Sequence, residues 1–182
     1  MVWSQTITIS PVARTDLADK PFPLCYRRGM TASTDMPNGF DAENQHWISV
    51  RVYYEDTDFT GLVYHANYLK YFERGRSDFL RDAGVDHQSL LNRPDPAAFT
   101  ILKAEIDFKQ AAHVDDLLRV RTRFIGTRGA RILFDQTVLR GDTVIAQAQI
   151  TALTIHADGR ARRPIAEIVE QLQPLIYQIS AE

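Results

Sequence analysis

Residues 47–84 read WISVRVYYEDTDFTGLVYHANYLKYFERGRSDFLRDAG, and a change of hydrophobic period inside this stretch decides the fold. From Trp47 to Tyr54, β-branched and aromatic side chains alternate with polar ones, as in a half-buried strand. A turn-rich run from Glu55 to Gly61 ends that alternation. From about His65 to Ala83 the period is helical. Tyr68, Phe72, Gly75, Phe79 and Ala83 share one face, Leu69, Tyr71 and Leu80 widen it, and Gly84 is placed to stop the helix. The small Gly75 and Ser77 let this helix lie close to a neighbouring backbone, so a helix largely wrapped by sheet is expected.

Downstream, a short link from Asp86 to Pro96 leads into further strands. Leu102, Ala104, Ile106 and Phe108 oppose Lys103, Glu105, Asp107 and Lys109, so one face is apolar and the other wet. From Asp116 onward, Val120, Thr122 and Phe124 oppose Arg119, Arg121 and Arg123, and a turn near Gly126–Gly129 returns the chain as residues 131–140. Gly141-Asp142 makes the next hairpin. The last strand, Val144 to His156, ends at Asp158-Gly159, and Pro164 to about Tyr177 reads as a terminal helix with proline in its first turn. Strand, long helix, then consecutive antiparallel strands without βαβ alternation gives an α+β class. The arrangement that buries every apolar face is a curled antiparallel sheet of about five strands around one central helix. Such a sheet has unpaired edges, and pairing them with a second copy predicts a homo-oligomer.

Upstream, residues 1–45 show no sustained period, being interrupted by Pro11, Pro21, Pro23, Pro37, Gly29 and Gly39. They read as a poorly ordered leader, leaving 46–182 as the folded domain. A chain of 182 residues, 45% apolar and 24% charged, has the length and composition of one soluble domain with its own core. A formal charge of −2 gives no global pull toward nucleic acid or an anionic membrane, so any anion site is local. The single cysteine, Cys25, excludes an internal disulfide, a CxxC pair and a cysteine-rich zinc site. No run approaches the roughly 18 apolar residues of a membrane span, and a cytoplasmic location is expected.

The chemistry concentrates between Tyr53 and Arg76. Glu55, Asp56 and Asp58 precede Gly61 and then the helix start near His65. A helix N-terminus offers unpaired N–H groups and a partial positive charge, and so holds an oxyanion. If the loop folds Asp58 toward that end, a carbonyl between them is polarised and open to attack, with Asp58 as general base or as nucleophile. Gly61 leaves room for substrate against the backbone. The competing reading of Asp56 and Asp58 is that they are only turn-formers and caps. Likewise His65, His87, His113 and His156 show no metal-ligand spacing, and no metal is expected.

The run from Arg51 to Arg76 closely resembles the signature of the 4-hydroxybenzoyl-CoA thioesterase family of hotdog-fold proteins, in its branch of acyl-CoA thioesterases associated with the Tol–Pal system. The likeness covers Tyr54, Asp56, Thr57, Asp58, Gly61, Val63, Tyr64, His65, Asn67, Tyr68, Phe72, Glu73 and Arg76 in one register. It implies a hotdog fold and a thioesterase with Asp58 as the catalytic carboxylate. It also implies a His65 N–H aimed at the thioester carbonyl and Tyr54, Gly61, Tyr64 and Asn67 in the substrate site. No cofactor is implied, CoA being part of the substrate. The partners implied are acyl-CoA, or acyl carried on acyl carrier protein, and further copies of the chain in a homodimer or homotetramer whose subunits share the acyl and pantetheine path. For the CoA phosphates, Arg128 and Arg131 beside a hairpin turn are the better candidates, with Arg119, Arg121 and Arg123 read as a solubilising outer face. Glu73 is the rival catalytic acid, and a non-catalytic acyl-binding scaffold is the rival function.

Overall fold

The computed structural model describes residues 6–10, by their backbone, and residues 37–178. In chain order the strands are β1 (Thr6–Ser10), β2 (Gly39–Phe40), β3 (His46–Arg51), β4 (Ala97–Phe108), β5 (Leu117–Arg128), β6 (Arg131–Arg140) and β7 (Thr143–His156). The helices are α1 (Asn67–Asp82), α2 (His87–Leu91) and α3 (Ala166–Leu172). One sheet runs β1-β4-β7-β6-β5-β3-β2, antiparallel throughout except where β1 lies parallel to β4. Its five principal strands are those expected, and with α1 packed on β3, β5 and β6 they form the α+β hotdog architecture.

The apolar face of α1 is buried as its period demands, with Tyr71, Phe72 and Phe79 fully enclosed. Gly75 marks the closest approach to the sheet. A Cβ there would stand 2.8 Å from Thr122 Oγ1, 3.0 Å from Val120 and 3.1 Å from Gln136, so the helix can sit this low only on glycine. Thr122 and Gln136 are buried polar residues, and both are satisfied. Gln136 Nε2 donates to Phe72 O and Thr122 Oγ1, each at 2.9 Å, while its Oε1 accepts from Arg76 Nη1 at 2.7 Å. The helix closes as a Schellman turn: Gly84 has φ +86° and donates to Arg81 O, and Val85 N–H reaches Leu80 O.

The strand phases on β5 are those read from the sequence, with Leu118, Val120, Thr122 and Phe124 inward. Outward, Arg119 and Arg121 lie over the Trp47 ring at 5.3 and 5.9 Å, and Arg123 over Tyr177 at 4.0 Å. On β4 the expected phase holds only beyond a bulge between Ile101 and Lys103. Before it the alternation flips, so Phe99 and Ile101 pack on the core and Leu102 does not. The link 86–96 contains α2, capped by Asp86 accepting from Gln88 and Ser89 N–H. The terminal helix is shorter than expected, running from Ala166 to Leu172 and then one 3-10 turn.

Two strands fall inside the segment 1–45, at Thr6–Ser10 and Gly39–Phe40. Gly39–Phe40 pairs with Trp47 and His46. Phe40 meets the His46 and Phe79 rings edge-on at 4.9 and 5.2 Å, and the Asp41 carboxylate binds Gln45 and Trp47 Nε1. Thr6–Ser10 pairs with Lys103–Asp107 of β4. The remainder of the leader lies outside the described residues. Among the described residues β1 and β2 are the end strands of the sheet, each paired on one side only. No helix among the described residues is long and apolar enough to cross a membrane.

Candidate active site

The segment between β3 and α1 is shaped by hydrogen bonds that follow from its own side chains. After one 3-10 turn over Tyr54–Asp56, the buried Asp56 carboxylate accepts from Tyr53 N–H at 2.9 Å. Its carbonyl accepts from Tyr64 N–H at 2.9 Å and from the Asn67 side-chain amide at 2.8 Å. These bonds bolt the loop to the first residue of α1. A tight turn then runs from Asp58 to Leu62, closed by Asp58 N–H to Leu62 O and Gly61 N–H to Asp58 O, both 2.9 Å. Gly61 has φ +77°, and nothing lies within 4 Å of where its Cβ would be. Its glycine is therefore required by the backbone angle of the turn, not by a crowded surface.

Asp58 stands exposed on this turn. Its Oδ1 accepts from Thr60 N–H at 2.8 Å and from the Thr60 hydroxyl at 2.5 Å. These bonds, the hydroxyl first, and then the charge of nearby His65 hold the Asp58 carboxyl below its ordinary value. Asp58 is consequently ionised at neutral pH.

The start of α1 is bare. The helical conformation is reached at Ala66 (φ −68°, ψ −22°), and no side chain caps it. Tyr64 N–H and Asn67 N–H are used inside the turn, whereas among the described residues the His65 and Ala66 N–H groups meet no intramolecular acceptor. Alanine supplies no capping oxygen where Ser, Thr, Asp or Asn would satisfy one of these donors. The His65 ring is exposed and lies 4.4 Å from the Tyr64 ring, centroid to centroid.

Of the expected site residues, Asp58, Gly61, Tyr64 and His65 are brought together around this turn, with Tyr54 on the 3-10 turn that leads into it. Asn67 is buried at the head of α1, where its side-chain N–H donates to Asp56 O and ties the loop to the helix. Arg128 and Arg131 stand apart from this cluster within the protomer. They face each other at the β5–β6 hairpin, while the Asp58 loop is tied to residues 112–116 just before β5, through Val63 N–H to Ala112 O and Val52 N–H to Asp116 O. The length of β5, about 36 Å at ~3.3 Å per residue, separates them. Thr60 was missed, although an acid followed two residues later by threonine is the signature of a local side-chain turn. Among the described residues no group of His, Cys, Asp and Glu converges as a metal site.

Residues 52–173 match the family model of the thioesterase-like superfamily. The chain belongs to that superfamily. Within it, an acyl-CoA thioesterase YbgC of Haemophilus influenzae is 39% identical over 131 residues, 72% of this chain and 90% of that one. An acyl-CoA thioester hydrolase YbgC of Escherichia coli is 34% identical over 107 residues, 58% of this chain and 78% of that one. Among solved structures, a probable thioesterase from Bartonella henselae superposes with TM-score 0.64 at 39% identity, covering 66% of this chain and 99% of its own. The superfamily match spans β4 to α3 as well as the Asp58 turn, so it covers fold and site together.

Proposed function

We propose that the chain hydrolyses an acyl-CoA, with a short aliphatic or aromatic acyl group, to the free acid and CoA at the Asp58 turn. The superfamily and its YbgC relatives make the chain a thioester hydrolase, and the acyl-CoA activity of those relatives supports CoA as the thiol carrier, with acyl carrier protein the alternative. The observation that carries the site is the pairing of one exposed, fully ionised carboxylate with two unused helix-start N–H groups a few residues along the same bolted loop.

In this reading the thioester oxygen accepts from His65 or Ala66 N–H, and the charge that develops on it is met by fixed donors and the positive end of α1. Asp58 takes a proton from water as the new C–O bond forms, or attacks the carbonyl carbon itself. In either course the C–S bond breaks, the thiolate departs with a proton, and one water is consumed. The low Asp58 pKa makes it a weaker base and keeps it ionised, which suits both roles. The His65 ring and the Tyr54 and Tyr64 side chains border the reacting group. Tyr54, Phe59 and Tyr64 are exposed around Asp58, Phe59 at 98%. A second copy covering this apolar face would exclude water and add side chains to the site. A homodimer or dimer of dimers, in the cytoplasm, is the assembly this reading calls for. The arginines of the β5–β6 hairpin act, in this reading, only if a partner's hairpin reaches the CoA.

The test is thiol release, followed with a chromogenic thiol reagent, over acyl-CoAs of differing length for wild type and Asp58→Asn. Loss of turnover by at least ~10²-fold with unchanged folding is expected. Unaltered release by the variant sinks Asp58 as catalyst, and tight acyl-CoA binding without release by wild type favours the scaffold.

A further inference from the structure

Asp56 is a buried carboxylate that neither course of the reaction uses. It is 6% exposed, stands two residues ahead of Asp58, and accepts at Oδ2 from Tyr53 N–H at 2.9 Å. Its carbonyl holds the head of α1 through Tyr64 N–H and the Asn67 side chain. Asn67 and Tyr71 are four residues apart on α1 and so share one face of it, a turn apart. Tyr71 is fully enclosed, its ring edge-on to Tyr68 at 5.8 Å with the Arg74 guanidinium over it at 5.9 Å. The Tyr71 hydroxyl lies beside the Asp56 carboxylate without reaching full hydrogen-bond geometry. Burial first, and then the Asp56 charge, push the Tyr71 phenol well above its ordinary value, so it is a donor at neutral pH.

An enclosed donor and an enclosed carboxylate each cost free energy until they are paired, and the fold sets these two side by side. We propose that Asp56 and Tyr71 are positioning residues, a hydrogen-bonded pair that fixes where the Asp58 turn stands relative to the His65 and Ala66 N–H groups. α1 then grips Asp56 twice, Asn67 at the carbonyl and Tyr71 at the carboxylate, so the residue cannot pivot about either contact alone. Thr57 joins Asp56 to Asp58, and its bridge to Val63 carries the restraint into the turn. A displacement of about 1 Å at a reacting group costs on the order of 10²-fold in rate, so an enclosed pair that never meets the substrate has leverage on turnover. The bonds from Thr60 to Asp58 lie inside the turn. The pair therefore governs the placement of Asp58 and not its charge. This inference rests on the reading of Asp58 as the catalytic residue.

The experiment measures kcat, KM and the pH profile of thiol release from a short acyl-CoA, with thermal melting, for wild type, Tyr71→Phe, Asp56→Asn, Asp56→Ala and the Asp56→Ala/Tyr71→Phe double variant. Tyr71→Phe removes one oxygen and keeps the ring. Its kcat per folded molecule is expected to fall at least ~10-fold at unchanged KM, with the acid limb of the profile in place. A purely structural hydroxyl would change the melting temperature and leave turnover per folded molecule as it was, and that result overturns the proposal. Asp56→Ala should lose at least as much, and the double variant no more than Asp56→Ala, because both changes delete one interaction. Independent, additive losses overturn the pair. Asp56→Asn should recover most of the loss, its carbonyl accepting from Tyr53 N–H and its amide donating to the Tyr71 oxygen. A folded Asp56→Asn as inactive as Asp56→Ala would make the charge itself catalytic and overturn the positioning role. If Asp56→Ala folds poorly, Tyr71→Phe decides alone. Asp58→Asn is run beside them. Full release by that variant strikes this inference together with the reading it rests on, whereas collapse in Asp58→Asn beside a full rate in Tyr71→Phe strikes this inference only.

Discussion

The first turn of α1 and its middle treat polar groups in opposite ways. At the start, the His65 and Ala66 N–H groups and the Asp58 carboxylate face outward with few partners or none inside the chain. In the middle, Thr122, Gln136 and Phe72 O are enclosed and each is hydrogen-bonded. Where α1 crosses the sheet at Gly75, satisfaction of the enclosed polar groups maintains the fold, and at the helix start its absence leaves work for a ligand. Substitutions in the two sections should separate cleanly, with stability changing in the middle and turnover changing at the start.

The comparison can be broken most severely at Phe79, fully enclosed between Phe40, Phe124 and Phe134. Phe79→Ala should cost about 3–5 kcal/mol of unfolding free energy by denaturant titration, with turnover per folded molecule little altered. Next comes Asp58→Asn, whose loss of at least ~10²-fold in turnover equals about 2.7 kcal/mol of barrier. Its denaturation midpoint should barely move, because exposed substitutions usually stay within ~0.5 kcal/mol. If stability falls with activity, the contrast between the two sections is wrong. Asn67→Ala lies between them. It removes the bolt to Asp56 O, and about 1 kcal/mol of stability should go together with a fall in kcat at nearly constant KM, since the N–H groups shift while the binding surfaces remain. The smallest effect belongs to Thr60→Ala. Both Thr60 bonds favour the charged carboxylate, and this change deletes the hydroxyl bond, so the Asp58 pKa should rise toward its ordinary value and the acid limb of the kcat/KM profile should move to higher pH. An unmoved acid limb would mean that the profile reports another group.

Period and punctuation made much of this molecule legible. Gly84 ends α1 in the left-handed conformation that its position suggests, and the inward phase of Val120, Thr122 and Phe124 is the one their alternation shows. The Asp58 turn was readable because its acids, glycine and helix start are adjacent in the chain. What escaped depends on distance or on single insertions. The bulge after Ile101 adds one residue to β4, and a period-2 reading carried across it assigns Leu102 to the wrong face. Arg128 and Arg131 were attractive as a basic pair, yet only the tertiary path of β5 shows how far they stand from Asp58. Asn67 has the residue type of a substrate contact, and only the folded loop shows that its side-chain N–H bonds Asp56 O. Gly39–Phe40 is too short a strand to have a period at all.

The segment ahead of residue 46 stands at both ends of the sheet like a pair of bookends, β1 against β4 and β2 against β3. A bare strand margin is a template on which other chains can stack without limit. With Thr6–Ser10 in place, the margin of β4 is covered over Lys103–Asp107 and the outermost strand on that side is only 5 residues long. Trimming the protein back to a minimal domain would leave the 12-residue β4 outermost, and the shortened form should keep its chemistry while losing shelf life in concentrated solution.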